Sequence, residues 1–214
     1  MPEKNSAPTV IRFANILLDQ IIPHIRWLLF PFKWLIWIFK GTRQLIWLLS
    51  NEYSKRSFGS FGKGVRIYGR FRVTSPQNLY LGDNVHINDN AFIRAEGGLK
   101  IGDHTHISRN VVIYTMNHEY EGNRLPYDER KVLKSVEIGR NVWIGMNVAI
   151  VPGVTIGDGA IVGMGSVVTQ DVLPLAIIGN QPARLLKERD SAHYEALDQA
   201  GAQSGMSGYE WNGK

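Results

Sequence analysis

Cysteine is absent from the 214-residue sequence. Its absence excludes a disulfide framework, a thiolate metal site and a cysteine nucleophile, and it favours a reducing compartment. Charged residues are also sparse, at 20% of the chain, while hydrophobic residues make up 44%. This balance predicts a packed fold rather than a disordered chain.

The body of the chain carries no net positive charge. The formal net charge is +5, and residues 1–56 account for all of it, with eight Lys and Arg against Glu3, Asp19 and Glu52. A nucleic-acid-binding protein would carry its excess charge on the folded body, along a phosphate track. We therefore expect no nucleic-acid partner. An anionic membrane surface suits a basic terminal segment better.

The N-terminal segment has no uncharged run of the roughly 18 residues that a transmembrane helix requires. Polar side chains recur in it every seven residues, at Arg12, Asp19, Arg26, Lys33 and Lys40. On a helix they form one drifting stripe, and the remaining surface is rich in Trp and aliphatic residues. Pro23 and Pro31 are expected to divide the segment into shorter helices. The pattern predicts amphipathic helices over residues 10–50 that lie in a membrane surface; the alternative is a hairpin packed on its own domain or on another subunit.

An aliphatic residue returns every sixth position through the body of the chain. Neither a helix, with a period near 3.6, nor an ordinary strand, with a period of two, explains this spacing. A six-residue period is typical of a parallel β-helix, in which three hexapeptide repeats form one triangular coil. The positions are Leu81, Ile87, Ile93, Ile101, Ile107, Ile113, Ile138, Ile144, Ile150, Ile156, Val162 and Val168.

Two interruptions of this period predict local departures from the coil. Gly97 and Gly98 add two residues before Ile101, which indicates a bulge. The long interval between Ile113 and Ile138 predicts a loop, at about residues 114–135, that is ejected from the coil. We expect three regions: a membrane-associating helical segment over 1–56, a β-helix over 57–190, and a partly disordered tail over 191–214.

The stretch GRNVWIGMNVAIVPGVTIGDGAIVGMGSVVTQDV resembles the left-handed β-helix acyltransferases. Within them it is most similar to the O-acetyltransferases that act on galactosides, maltose and surface polysaccharides. GNQPARLLKER resembles the closing motif of that family, after which a basic helix is expected. The resemblance covers about residues 60–190. It implies an all-β core with a left-handed parallel β-helix, in a homotrimer that binds acetyl-CoA between subunits. Together with the pattern of the N-terminal segment, the expected fold class is this β-helix with N-terminal amphipathic helices and a short C-terminal helix.

In that family the loop-bearing coil carries the catalytic histidine, and the resemblance assigns this role to His118 within YTMNHEYEG. An alcohol attacks a thioester only if its proton leaves, and imidazole is suited to accept a proton near neutrality. Without a cysteine or a serine elbow, direct transfer is favoured over an acyl-enzyme. Glu119 follows immediately and is the candidate for orienting or stabilising the imidazole. The alternative for His118 is a solvated loop histidine.

The same resemblance assigns two residues to the acceptor. The family's acceptor-contacting asparagine lies thirty positions before its histidine, where Asn88 stands in this sequence. In the galactoside branch an acidic residue follows eight positions later, where Glu96 stands. A turn asparagine is the alternative for Asn88.

For acetyl-CoA, the resemblance implies a groove between neighbouring subunits. Met146 replaces a serine of the sugar enzymes, and Gln170 replaces a lysine, which removes one charge. A trimer contact is the alternative for Trp143, and a solvated helix face is the alternative for Arg184 and Lys187. The implied contacts are Trp143 near the groove, Gly145, Met146, Gly163 and Met164 along the pantetheine arm, Thr169 and Gln170 near the nucleotide, and Arg184 and Lys187 near the phosphates.

Three alternatives to this function stay open. A β-helix carbonic anhydrase would use three histidines on zinc, and His86, His104, His106 and His118 invite that comparison; however, that family pairs two ligands five residues apart, and this sequence has no such pair. A non-catalytic membrane-bound scaffold is the second alternative. The third is an N-acetyltransferase that acts on an amino sugar with the same fold.

The favoured interpretation is a homotrimeric O-acetyltransferase that uses acetyl-CoA and no metal. Its acceptor would be a sugar, or a lipid-linked saccharide of surface or exported polysaccharide synthesis. It would lie on the cytoplasmic side of the bacterial inner membrane as a peripheral or monotopic protein.

Overall fold

A computed structural model describes residues 30–204, with side chains from residue 38 onward. The predictions for the helices before residue 30, the kink at Pro23 and the end of the tail lie outside these residues. The chain divides into two units, Met1–Ile46 and Trp47–Lys214, and the predicted domain boundaries stay a prediction.

Helix α1 covers Phe30–Lys55. Pro31 is its second described residue, a position where a missing backbone N–H is tolerated. In the second unit the helix ends against the first coil, because Asn51 Nδ2 donates to the carbonyl of Gly69 at 2.9 Å and Lys55 Nζ donates to that of Val65 at 2.6 Å. Within residues 30–204, the structure contains no helix with the length and apolarity needed to cross a bilayer.

The body of the chain consists of short strands. They are β1 Ser60–Phe61, β2 Arg66–Ile67, β3 Phe71–Thr74, β4 Leu79–Leu81, β5 His86–Ile87, β6 Ala91–Arg94, β7 Leu99–Ile101, β8 His106–Ile107, β9 Val112–Tyr114, β10 Met116–His118, β11 Lys131–Leu133, β12 Val136–Ile138, β13 Trp143–Ile144, β14 Ala149–Ile150, β15 Thr155–Ile156, β16 Ile161–Val162, β17 Val167–Val168, β18 Ala176–Gly179 and β19 Arg184–Glu188. A 3₁₀ turn covers Pro76–Asn78, and helix α2 covers Ser191–Gln199.

Three parallel sheets form the sides of the solenoid. Sheet A contains β1, β4, β7, β12 and β15; sheet B contains β2, β5, β8, β13, β16 and β18, with β19 at its edge; sheet C contains β3, β6, β9, β14 and β17. The chain passes from A to B to C in each coil and then returns to A one coil further on. The predicted left-handed parallel β-helix with flanking helices is confirmed as the fold class.

The residues of the six-residue period form the core. Ile87, Ile107 and Ile144 occupy equivalent positions in successive coils of sheet B, and each is fully buried. The parallel pairing places similar side chains above one another, because each coil repeats the inward-facing positions of the coil before it. A single hydrophobic column therefore runs along the solenoid axis.

Asparagine residues shape one corner of the coil. Asn90, Asn110 and Asn147 have φ values of 65°, 59° and 57°, in the left-handed region that asparagine tolerates better than most residues. Their side chains are joined across coils, with Nδ2 of Asn90 and Asn110 each donating to the next Oδ1 at 2.9 Å. The turns are thereby linked along the solenoid by side-chain amides.

The end of the solenoid differs from the expected closing helix. Residues 184–188 form β19, which pairs antiparallel with β18, because β18 is the last parallel strand of sheet B and would otherwise present unpaired backbone groups. Helix α2 starts only after Asp190, whose carboxylate caps it by accepting from His193 N at 2.9 Å. The predicted basic helix after GNQPAR is therefore wrong for residues 184–188.

Candidate functional site

The predicted site residues lie on two corners of the solenoid. The BC corner joins each strand of sheet B to the next strand of sheet C. The CA corner joins each strand of sheet C to the following strand of sheet A, and the hairpin of β10 and β11 leaves the solenoid there, between β9 and β12.

Asn88 lies on the BC corner. Its backbone N and its Nδ2 both donate to the carbonyl of Ile107, at 2.9 and 3.0 Å. The amide oxygen has no such bond among the described residues, so it remains available as an acceptor. Asn88 thus stabilises the turn and also presents a polar group at the corner.

Gly145 and Gly163 take the position of Asn88 in later coils of the BC corner. A Cβ on Gly145 would come within 2.7 Å of the backbone N of Met164, so the close approach of the two coils requires glycine. The neighbouring Met146 and Met164 are exposed, Met164 to 71%. Four of the residues implied for the pantetheine arm therefore form one continuous edge together with Asn88.

His118 ends β10 on the other corner, opposite Lys131 of β11. The ring is half-buried, and its Nδ1 is buried without a hydrogen-bond partner among the described residues. Consequently, Nε2 is the nitrogen left to meet a substrate. The ring stacks on that of Tyr127, with centroids 4.0 Å apart and planes inclined by 20°.

Glu119 does not hydrogen-bond to His118 in the structure. Its carboxylate instead accepts from the backbone N of Glu121 at 3.0 Å. Its backbone closes the loop, since Glu119 N donates to the Arg130 carbonyl and its own carbonyl accepts from Asp128 N, both at 3.1 Å. The predicted role in orienting the imidazole gains no contact here and stays a prediction.

Glu96 lies on the CA corner, in the coil before the one that carries His118. Its Oε1 accepts from Arg94 Nε and Nη2 at 3.1 and 2.7 Å, whereas Oε2 is buried without a partner among the described residues. Burial opposes ionisation of the carboxyl, but hydrogen bonds, chiefly from Arg94, prevail and lower its pKa. Arg94 also lies over the ring of Tyr114, 5.5 Å from the centroid.

Trp143 projects from the outer face of sheet B and is 56% exposed. It lines a cavity of about 530 Å³ between that face and the C-terminal segment, together with His106, Tyr194 and Asp198. Asp198 holds the segment in place by accepting from both terminal nitrogens of Arg140 at 2.8 and 2.9 Å. Trp143 is thus not on the edge formed by Gly145 and Met164.

The residues implied for the nucleotide end lie at the C-terminal end of the solenoid. Thr169, Gln170 and Arg184 line a cavity of about 190 Å³ between the CA corner and β19, beside Glu188. Lys187 is exposed on the same strand. The cavity places one arginine near a carboxylate, and both groups are accessible to a ligand.

One chain does not bring these groups into a single site. Asn88 and His118 lie on opposite corners of sheet C, and a strand of this sheet such as β6 has four residues, which span about 13 Å at roughly 3.3 Å each. The polar groups on the two corners therefore cannot contact one small acceptor simultaneously within one copy.

The histidines considered for zinc are arranged differently. The rings of His86 and His106 stack face to face at 4.3 Å, and Asn84 bridges His86 and His104 at 3.1 and 3.2 Å. His118 lies on the CA corner, away from this group. Among residues 30–204, no group of three potential ligand side chains is arranged to hold a metal ion.

Sequence reasoning did not single out Arg94 or Tyr127. Arg94 occupies an ordinary outward position of β6, and nothing in the repeat distinguishes it. Tyr127 lies in the ejected loop, which has no period, so its contact with His118 could not be inferred from spacing. An aromatic residue in the loop after a candidate base was the only available signal.

Comparison with known proteins identifies the family of this solenoid. The family model for the bacterial transferase hexapeptide (six repeats) matches residues 135–170. A hexapeptide-repeat-containing acetyltransferase from Vibrio cholerae is similar, with 30% identity, a TM-score of 0.60, and coverage of 70% of this chain and 89% of that chain. A structure of this acetyltransferase in complex with acetyl coenzyme A, from Vibrio cholerae O1 biovar eltor, shares 29% identity with a TM-score of 0.59. The match covers 70% of this chain and 85% of that chain.

Two sugar-modifying enzymes are also similar. A maltose O-acetyltransferase from Clostridium difficile 630 shares 32% identity, with a TM-score of 0.59 and coverage of 66% of this chain and 75% of that chain. A galactoside acetyltransferase in complex with coenzyme A shares 28% identity, with a TM-score of 0.57 and coverage of 67% of this chain and 72% of that chain. The similarity thus covers about two thirds of this chain and more than two thirds of each of these proteins.

Proposed function

Because this chain belongs to the hexapeptide-repeat acetyltransferases, we propose that it transfers the acetyl group of acetyl-CoA to a sugar hydroxyl. The acceptor is a membrane-linked saccharide of a surface or exported polysaccharide. The observation that carries the proposal is His118, whose buried Nδ1 leaves Nε2 as the available nitrogen at the corner where the repeat is interrupted.

The chemistry follows from that nitrogen. As the acceptor oxygen bonds to the thioester carbonyl carbon, His118 Nε2 takes the hydroxyl proton. The C–S bond then breaks, and the imidazolium returns a proton to the departing CoA thiolate. Asn88 and Glu96 orient the acceptor, while Gly145, Met164, Thr169 and Arg184 are among the residues that contact acetyl-CoA.

Two copies of the chain build each site, in a homotrimer. The outer face of sheet C carries an apolar column, with Phe92, Val112, Ala149 and Val167 in register. The outer face of sheet A is polar and carries the Lys100–Glu137 ion pair at 3.2 Å, and the C-terminal segment packs against sheet B. Contact through sheet C brings the BC corner of one copy towards the CA corner of the next.

Membrane association rests on α1. Phe39, Ile46 and Tyr53 are seven residues apart and 64–76% exposed, and Leu45 and Leu49 extend the same side of the helix. Lys40 and Arg43 flank it and suit anionic head groups. We therefore propose that the enzyme lies on the cytoplasmic side of the bacterial inner membrane, beside lipid-linked acceptors.

The acceptor class is tested by incubating the enzyme with labelled acetyl-CoA and either a membrane lipid extract, a galactoside, maltose or glucosamine. We expect label in the lipid fraction that mild base releases, since it is an ester. Base-stable label on glucosamine would mean N-acetylation instead. No label in any acceptor, with acetyl-CoA still bound in a separate titration, would contradict the proposal.

Membrane association is tested separately by co-sedimentation with anionic and zwitterionic vesicles. The double variant Leu45→Glu, Ile46→Glu is expected to lose binding to anionic vesicles, whereas Phe61→Glu on the first coil serves as a control and retains it. Equal binding by both variants would contradict the assignment of this role to α1.

A further inference from the structure

We infer that Tyr127 is a positioning residue for His118. Its phenol ring holds the imidazole by stacking and closes one face of it, so that an acceptor hydroxyl approaches along the Nε2 edge. The inference rests on the proposed function, since it takes His118 as the group that accepts the acceptor proton.

The imidazole has few other means of orientation. A catalytic histidine is commonly held by a hydrogen bond from its second nitrogen to a carboxylate or a carbonyl. Here Nδ1 has no such partner among the described residues, and the Glu119 carboxylate is used by the Glu121 N–H. The stacked ring of Tyr127, at 4.0 Å, is therefore the side-chain contact that sets the plane of His118.

The position of Tyr127 is itself fixed by the next residue. The side chain of Asp128 is 8% exposed, and its carboxylate accepts from the backbone N and Nε of Arg130 at 2.9 and 2.8 Å. Gly122 lies directly against this carboxylate, where a Cβ would overlap it. The loop thus has an internal polar anchor beside Tyr127.

Asp128 is ionised over the whole range in which the enzyme would work. Burial opposes its ionisation, but the hydrogen bonds from Arg130 prevail and hold its pKa below the usual range. The anchor therefore persists at neutral pH.

Stacking also has an electrostatic consequence. The face of a phenol ring is electron-rich and attracts a cation placed over it. The imidazole becomes a cation only after it takes the proton, so the interaction strengthens towards the transition state. We expect the effect in kcat rather than in KM.

The test compares Tyr127→Leu, which removes the aromatic ring, with Tyr127→Phe, which keeps it. Tyr120→Leu is the matched control, because Tyr120 lies in the same loop, is 69% exposed and does not stack on His118. We expect Tyr127→Leu to lower kcat about tenfold with both KM values within twofold. Tyr127→Phe should stay within threefold of the wild type, and Tyr120→Leu should be unchanged.

A proton NMR spectrum gives a readout besides activity. The ring proton of His118 between its nitrogens should move upfield under the Tyr127 ring, keep that shift in Tyr127→Phe and lose it in Tyr127→Leu. A Leu variant that loses the shift but keeps kcat would overturn the inference, as would a Phe variant as impaired as Leu. If His118→Gln itself retains activity, the proposed function fails first, and the NMR result then reports only the stacking.

Discussion

At the scale of single residues, His86 and His106, which stack on each other on sheet B, have no part in the proposed reaction. His86 is 8% exposed, and burial, followed by the charges of His106 and Arg66, lowers its pKa from 6.5 to about 4. The pKa of His106 is also lowered, by burial and by His104. The pair is therefore neutral in the folded protein at physiological pH.

This pair predicts a pH-dependent stability. Between pH 6.5 and 4 the unfolded chain protonates His86 while the folded chain does not, so the free energy of unfolding falls as the pH falls through this window. The loss reaches about 3 kcal/mol at most. In His86→Gln this part of the slope should disappear, as measured by urea unfolding at several pH values.

The control for this prediction is His193→Gln, on the exposed side of α2. It should unfold with the same pH dependence as the wild type. A slope in His86→Gln as steep as that of the wild type would show that His86 is not the responsible group.

At the scale of elements, the corners determine whether the coils stack. Asn110 accepts from Asn90 and donates to Asn147, at 2.9 Å each, and its φ is 59°. Alanine loses both bonds and is strained at this φ, whereas glycine loses the bonds without the strain. We expect Asn110→Gly to be more stable than Asn110→Ala by about 1 kcal/mol.

Urea midpoints of the two Asn110 variants measure this difference, and the shared loss of side-chain bonds cancels between them. If the alanine variant proves as stable as the glycine variant, the left-handed turn does not constrain this corner.

The same contrast between periodic and irregular elements explains what the sequence could predict. Ile101, Ile107 and Ile113 recur every six residues because each successive strand of the coil buries one aliphatic side chain, so the solenoid could be inferred from spacing alone. The hairpin bearing His118 could be located as an interruption, but its internal contacts could not. Tyr127 stacks on His118 through a loop held by Asp128, and such contacts depend on tertiary geometry.

The end of the solenoid was missed for a related reason. Residues 184–188 read RLLKE, and their apolar and polar side chains do not alternate in a way that distinguishes a strand from a helix. The open edge of β18 decides the structure of residues 184–188, and an unsatisfied edge is a property of the assembled sheet. For the candidate site, the sequence could place Asn88 and Glu96 in the repeat, but not the ion pair between Arg94 and Glu96.

At the scale of the whole molecule, the division of the site between two corners predicts that assembly and activity are lost together. Val112 lies in the apolar column on the outer face of sheet C. We expect Val112→Arg to convert the proposed trimer to monomers and to abolish transfer, because a charge without a partner is costly at a closed interface.

Thr155→Arg is the matched control, since Thr155 occupies an equivalent outward and exposed position on sheet A. It should remain trimeric and active. Light scattering coupled to gel filtration gives the mass of each variant. A Val112→Arg monomer with full activity would refute the shared site, and a Val112→Arg trimer would show that sheet C is not the interface.

The role of His118 is tested most directly by the initial rate of acetyl transfer from labelled acetyl-CoA to the best acceptor, in the wild type and in His118→Gln. We expect a fall in kcat of about 10²-fold to 10⁴-fold, the usual contribution of a general base, with the Kd for acetyl-CoA and the oligomeric mass unchanged. A variant rate within tenfold of the wild type would contradict the assignment of His118 as the base.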